Sequence, residues 1–160
     1  MLGNGVTTIP PAAFRNCVKL ESINLSKCTR IGDKVFQYCG KLASVDLSNC
    51  TSIGYMAFYN CDALSGELNL SKCVTIADNA FHYCGNLSKV IFGNPLSEIG
   101  DKSFYGVVAE KIFSKDPNSG ITYNQWAFRP NYIATWNDSD TVRTYKWDDT
   151  VTSNNWVLQP

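Results

Sequence analysis

The stretch "FQYCGKLASVDLSNCTSIGYMAFYNC", Phe36 to Cys61, is followed by a near copy, "FYNCDALSGELNLSKCVTIADNAFHYC", Phe58 to Cys84. Working outward from it, phenylalanine recurs at Phe14, Phe36, Phe58, Phe81 and Phe104, at steps of 22, 22, 23 and 23. Ile9, Ile31, Ile53, Ile76 and Ile99 precede these rings by five residues each. Leu20, Leu42, Leu64 and Leu87 follow the first four by six, and Leu25, Leu47, Leu70 and Phe92 come five residues later, or six in the third unit. Self-similarity at one period marks stacked structural units, none of which can bury its apolar side alone.

One unit reads L-x-x-I-x-L-x-x-C-x-x-I-G-x-x-x-F-x-x-C. "LESINLS" alternates apolar and polar residues, as a half-buried strand does. The longer third unit carries its extra residue in "LSGELNL", where Gly66 marks a bulge. Gly32, Gly54 and Gly100 read as turn residues. Asp33, Asp78 and Asp101 read as caps of about one helical turn, with Phe and Cys three apart on its inner side. The expected fold class is α/β: a right-handed solenoid with a parallel sheet on one face and short helical turns on the other.

This pattern resembles the leucine-rich repeat family. "IGYMAFYNC" is similar to the BspA-type subclass of bacterial and protozoan surface proteins, over roughly residues 6–106. A second, weaker likeness is to the cysteine-containing repeats of eukaryotic ubiquitin-ligase adaptors, whose units run longer. The first resemblance implies a surface or secreted location and binding to proteins of a host matrix or another cell. The second implies an intracellular adaptor, which would carry an F-box-like helical segment upstream.

The expected organisation is about five repeats over residues 1–106 and an atypical cap over 107–160, because a solenoid must cover its last core layer. "EKIFS" supplies one more strand. "YIATW" and "TVRTYKW" alternate across Asn137–Asp140 as a hairpin with a four-residue loop. Trp126, Trp136, Trp147 and Trp156 all lie in this end, which reads as a cap or, alternatively, as an aromatic binding platform. The opening "MLGNGV" starts inside a repeat and reads as a cut end, so the lack of a signal peptide there says little about compartment.

Seven cysteines fall in two interleaved columns, Cys28, Cys50 and Cys73 after the strand and Cys17, Cys39, Cys61 and Cys84 after the phenylalanine. No C-x-x-C pair prepares a zinc site. Equivalent slots point their side chains in parallel, which disfavours bridges, so the columns read as free, buried thiols. The single histidine, His82, falls at a variable position and reads as exposed; no catalytic grouping can be assembled around it. Neither a cofactor nor a metal is expected, and the chain reads as non-catalytic. With 14 basic and 14 acidic residues it has no net charge, hence no electrostatic footprint for nucleic acid. No apolar run nears the roughly 18 residues of a spanning helix. Asn24, Asn49, Asn69, Asn86 and Asn137 begin N-x-S/T triplets, but four of these are generated by the repeat.

The outward positions of the strands form two columns, Ser22, Ser44, Glu67, Lys89 and Asn24, Asp46, Asn69, Ile91. These eight residues are the candidate ligand-facing surface. The competing reading is a solvated sheet face, with the repeats only spacing other domains of a larger surface protein.

Overall fold

A computed structural model describes residues 5–93 and 97–107, and beyond them the backbone of strands at 110–113, 122–123, 133–138, 141–147 and 156–158. The repeats wind as a β-solenoid of about four turns, and the repeating isoleucines build its first sheet. β1 (Thr8–Ile9), β2 (Arg30–Ile31), β3 (Ser52–Ile53), β5 (Thr75–Ile76), β7 (Glu98–Ile99) and β9 (Thr122–Tyr123) pair in parallel in that order. Ile9, Ile31, Ile53, Ile76 and Ile99 are all buried. Sequence reading placed these isoleucines in the repeat register but assigned them no strand, so it did not anticipate this sheet. Two-residue strands leave no alternation to read.

The alternating segments form the other sheet. β4 (Gly66–Leu70) pairs in parallel with β6 (Leu87–Phe92), which pairs in parallel with β8 (Glu110–Phe113). The ladder shifts register between Gly66 and Glu67, the expected bulge. In the first two units the strand reduces to one bridge, Ser22 to Ser44. β10 (Ile133–Asp138) joins β8 in parallel and β11 (Thr141–Trp147) antiparallel, and β12 (Trp156–Leu158) closes the row. Pairing reaches Asp138–Thr141, so the hairpin connection is two residues rather than four. Trp126 lies outside the described residues.

The helical face is where expectation and structure part. Among the described residues no helix occurs, so the α half of the α/β expectation is wrong. In its place each unit makes a double turn with two left-handed residues: Lys34 and Tyr38 (φ 56° and 63°), Met56 and Asn60, Asn79 and Tyr83. A left-handed residue interrupts a right-handed helix. The gain is hydrogen bonding between coils. The amides of Phe14, Phe36, Phe58 and Phe81 donate to Val35, Ala57, Ala80 and Ser103 of the next coil at 2.7–3.0 Å. Bonds from Cys39 N to Phe36 O (3.1 Å) and from Cys84 N to Phe81 O (3.1 Å) close the turn in those units. The second left-handed site is filled in turn by Asn16, Tyr38, Asn60, Tyr83 and Gly106, and asparagine and glycine tolerate it best.

The aspartates expected to cap helices do a different job. Asp33 accepts the amide of Tyr55 through Oδ1 at 2.9 Å, and Asp78 accepts that of Asp101 at 2.7 Å, each tying its coil to the next. Gly54 is needed for closeness rather than for turn angle. A Cβ there would meet Asp33 Oδ1 at 2.5 Å and the Gly32 carbonyl carbon at 2.6 Å. Inside, the phenylalanines stack in one file, with centroids 5.4, 5.1, 5.1 and 5.2 Å apart from Phe14 to Phe104. That spacing approaches the inter-strand distance of about 4.8 Å, so backbone ladder and ring column have nearly the same step.

Candidate functional site

Of the two candidate columns, the backbone brings three pairs of neighbours together. Ser22 faces Ser44 across the bridge, Glu67 neighbours Lys89, and Asn69 neighbours Ile91. Ser22, Asn24, Ser44, Asp46 and Glu67 are exposed; Asn69, Lys89 and Ile91 are half-buried. Lys89 Nζ lies 3.6 Å from Glu67 Oε2. An exposed pair of this kind contributes little to stability, about 0–1 kcal/mol, so it can exchange partners cheaply.

The second column is partly committed to the fold. Asn24 Oδ1 accepts the amide and hydroxyl of Ser26 at 3.1 and 2.7 Å. Asp46 Oδ1 repeats this with Ser48 at 3.0 and 2.6 Å, and Asn69 Oδ1 accepts the Ser71 amide at 3.0 Å. These are Asx turns that steer the chain off the strand. The Ser48 hydroxyl and amide hold the Asp46 carboxyl below its ordinary range, so it stays anionic near neutrality. The first column, Ser22, Ser44, Glu67 and Lys89, has no such duty in the turns.

The cysteines are free, six of them buried and Cys17 half-buried. Burial pushes the thiols of Cys39 and Cys50 up to about 11 and those of Cys73 and Cys84 to about 12, and raises Cys61 further. A thiol so raised is a poor nucleophile near neutral pH. Among the described residues, no three of His, Cys, Asp and Glu gather as a metal site would require.

The turn wall holds what sequence reading missed. His82 is 8% exposed rather than open to solvent. Its ring lies 5.1, 4.2 and 4.9 Å from those of Tyr59, Tyr83 and Tyr105, and Nδ1 is 2.7 Å from Asn79 Oδ1. Nε2 has no hydrogen-bond partner among the described residues, and burial lowers the ring's affinity for a proton. Tyr38, Tyr55 and Tyr83 are exposed beside this cluster. The signal was present in "FQYC", "FYNC", "FHYC" and "FYGV", where an aromatic ring follows each phenylalanine by one or two residues. Its meaning depended on how coils stack.

The profile of the BspA type leucine rich repeat region matches residues 7–133 as six copies. The chain belongs to this family. BspA-type repeats are leucine-rich repeats, a class of modules that generally bind proteins and are generally non-catalytic. The match runs past Phe104 to the point where β10 begins, over the interval in which β8 and β9 continue both sheets. No curated protein and no solved structure matches the chain. No helix among the described residues is long and apolar enough to cross a membrane.

Proposed function

We propose that this BspA-type segment is a non-catalytic protein-binding module of a cell-surface or secreted protein, serving adhesion or contact with a host matrix or another cell. The observation that carries the reading is the outward face of the second sheet. There, Ser22 pairs with Ser44 across one bridge, and Glu67 stands beside Lys89 on the paired strands β4 and β6. Asn24, Asp46, Asn69 and Ile91 border them, the first three braced by their own turns. A rigid grid of polar groups loses little entropy when a partner docks. Surface location rests on what is typical of the family.

We also propose that residues 107–160 cap the solenoid. Ile99, Phe104 and Val107, in the last fully described coil, are wholly buried, which supports a covering role for the chain beyond them.

Solid-phase binding to a matrix-protein coating and to whole cells tests the binding face. Ser44→Arg combined with Glu67→Arg should abolish binding while the circular dichroism spectrum stays unchanged. Unaltered binding would remove the sheet face from consideration. Absence of binding by the parent protein would favour a spacer, and binding confined to intracellular partners an adaptor.

A further inference from the structure

Where three consecutive coils pass from the turn wall towards the strand sheet, they border a shallow, open cleft of about 400 Å³ lined by Asn60, Asp62, Tyr83, Gly85, Asn86 and Gly106. We infer that this cleft binds one residue of a neutral saccharide.

The argument begins with Tyr83. Its side chain is 46% exposed, yet it is held on both sides by edge-on rings, Tyr59 at 6.0 Å and Tyr105 at 6.1 Å. Gly106, at φ +79°, packs so closely that a Cβ there would stand 3.1 Å from Tyr83 Cδ1. An exposed aromatic surface that is already immobilised offers the apolar side of a pyranose a platform at small entropic cost.

Polar groups converge beside it. Asn86 Nδ2 donates to the Asp62 carbonyl at 2.6 Å, and Asn60 Nδ2 lies 3.4 Å from Asp62 Oδ2. The other Asp62 carboxylate oxygen has no donor among the described residues. Carboxylate oxygens only accept, and hydrogen bonds to an ionised acceptor are roughly twice as strong as neutral ones. The hydroxyl groups of a sugar are among the donors able to use them. The amide oxygens of Asn60 and Asn86 add further acceptors, and the two glycines keep the approach to the backbone open.

The same features disfavour other small ligands. No lysine or arginine lines the cleft, so an anion would meet Asp62 without compensation. A lipid chain would find carboxamides and a carboxylate. A quaternary ammonium could sit over Tyr83 near Asp62, but it could not use the hydrogen-bonding groups. A neutral ring bearing adjacent hydroxyls uses all of them.

The test follows the Tyr83 ring resonances by NMR in the whole chain during titration with methyl α-D-mannoside, methyl β-D-galactoside and tetramethylammonium. At least one sugar should give a saturable shift with a Kd of order millimolar, within about 50 mM. Tyr83→Asn places in the left-handed site the residue that Asn60 supplies one coil earlier; it should abolish the response, read then at Tyr105. Asp62→Asn should weaken it about tenfold or more. Tyr38→Asn, at the same repeat position two coils away, should leave it unchanged. The inference is overturned if neither sugar gives a saturable shift, if tetramethylammonium alone does, if Tyr83→Asn or Asp62→Asn leaves the affinity unchanged, or if Tyr38→Asn removes it.

Discussion

The Sγ of Cys61 donates to the carbonyl oxygen of Phe36, one coil back, at 3.1 Å, and the same oxygen accepts the Cys39 amide at 3.1 Å. The bond recurs from Cys39 to Phe14 and from Cys84 to Phe58, both at 3.1 Å. One column of cysteines is therefore more than small apolar filler. At Phe14 and Phe36 the buried thiol satisfies a second lone pair on a carbonyl that already accepts an amide.

The first prediction follows from that bond. Denatured without reductant, the protein should titrate close to seven thiols, while native protein should react first at half-buried Cys17. Three bridges and one free thiol would contradict the stacked columns. Because the Phe36 oxygen keeps its amide bond, Cys61→Ala should cost about 1 kcal/mol in urea unfolding. Phe58→Ala, which opens the stacked ring file on both sides, should cost about 3–5 kcal/mol.

Adjacent alanines should respond with opposite signs. Ala12 is exposed with φ 57°, while its exposed neighbour Ala13 is not left-handed. Ala12→Gly should raise stability by up to about 1 kcal/mol, since the strain relieved exceeds the added freedom of the unfolded chain. Ala13→Gly should lower it by about 0.4–1 kcal/mol. Equal effects in a thermal melt would mean that the left-handed turns carry no strain.

Stability should also fall as pH drops from neutrality, through His82. Its folded proton affinity is below the ordinary imidazole value of 6.5, because burial penalises the charged ring. The unfolded chain therefore takes up the proton first. The contribution is fully present above pH 6.5 and declines as pH falls to the lower folded value. His82→Gln should flatten the profile in that window. Asp46, held low by Ser48, is lost in a separate and more acid window, below the ordinary carboxylate value of 3.8. A midpoint-versus-pH series on parent and variant separates the two.

The capping proposal predicts that deleting residues 107–160 exposes the layer at Ile99 and Phe104 and frees the edge of β6 now paired with β8. An unpaired strand edge over an open core should aggregate or fray from that end. In the intact chain, acrylamide should quench a minority of the four tryptophans. A soluble, monomeric truncation together with freely quenched tryptophans would show that this end is a separable module.

Much of this was legible in the residues because it depends on period alone. The phenylalanine file, the isoleucine and leucine core positions, the Gly66 bulge and the in-register Glu67 and Lys89 all follow from units that repeat and must stack. The helical turn was misread for a definite reason. Phe and Cys three apart fit a turn of helix, and they fit equally a turn closed by an amide three residues on, as at Cys39 and Phe36. The sign of φ at Lys34 and Tyr38 separates the two, and it goes with bonds to Tyr55 and Tyr59 of the next coil, made at 2.8 and 2.9 Å.

By itself, then, the sequence determined the repeat, its register and which side chains line the core, because burial of apolar positions at a constant period admits one stacking. Tertiary structure alone decided the second sheet, the left-handed turn wall, the buried state of His82 and the cleft beside Tyr83. Each of these depends on contacts between residues some 21 to 24 positions apart, where one coil supplies the hydrogen bonds, the closeness at Gly54 or the ring packing that its neighbour lacks.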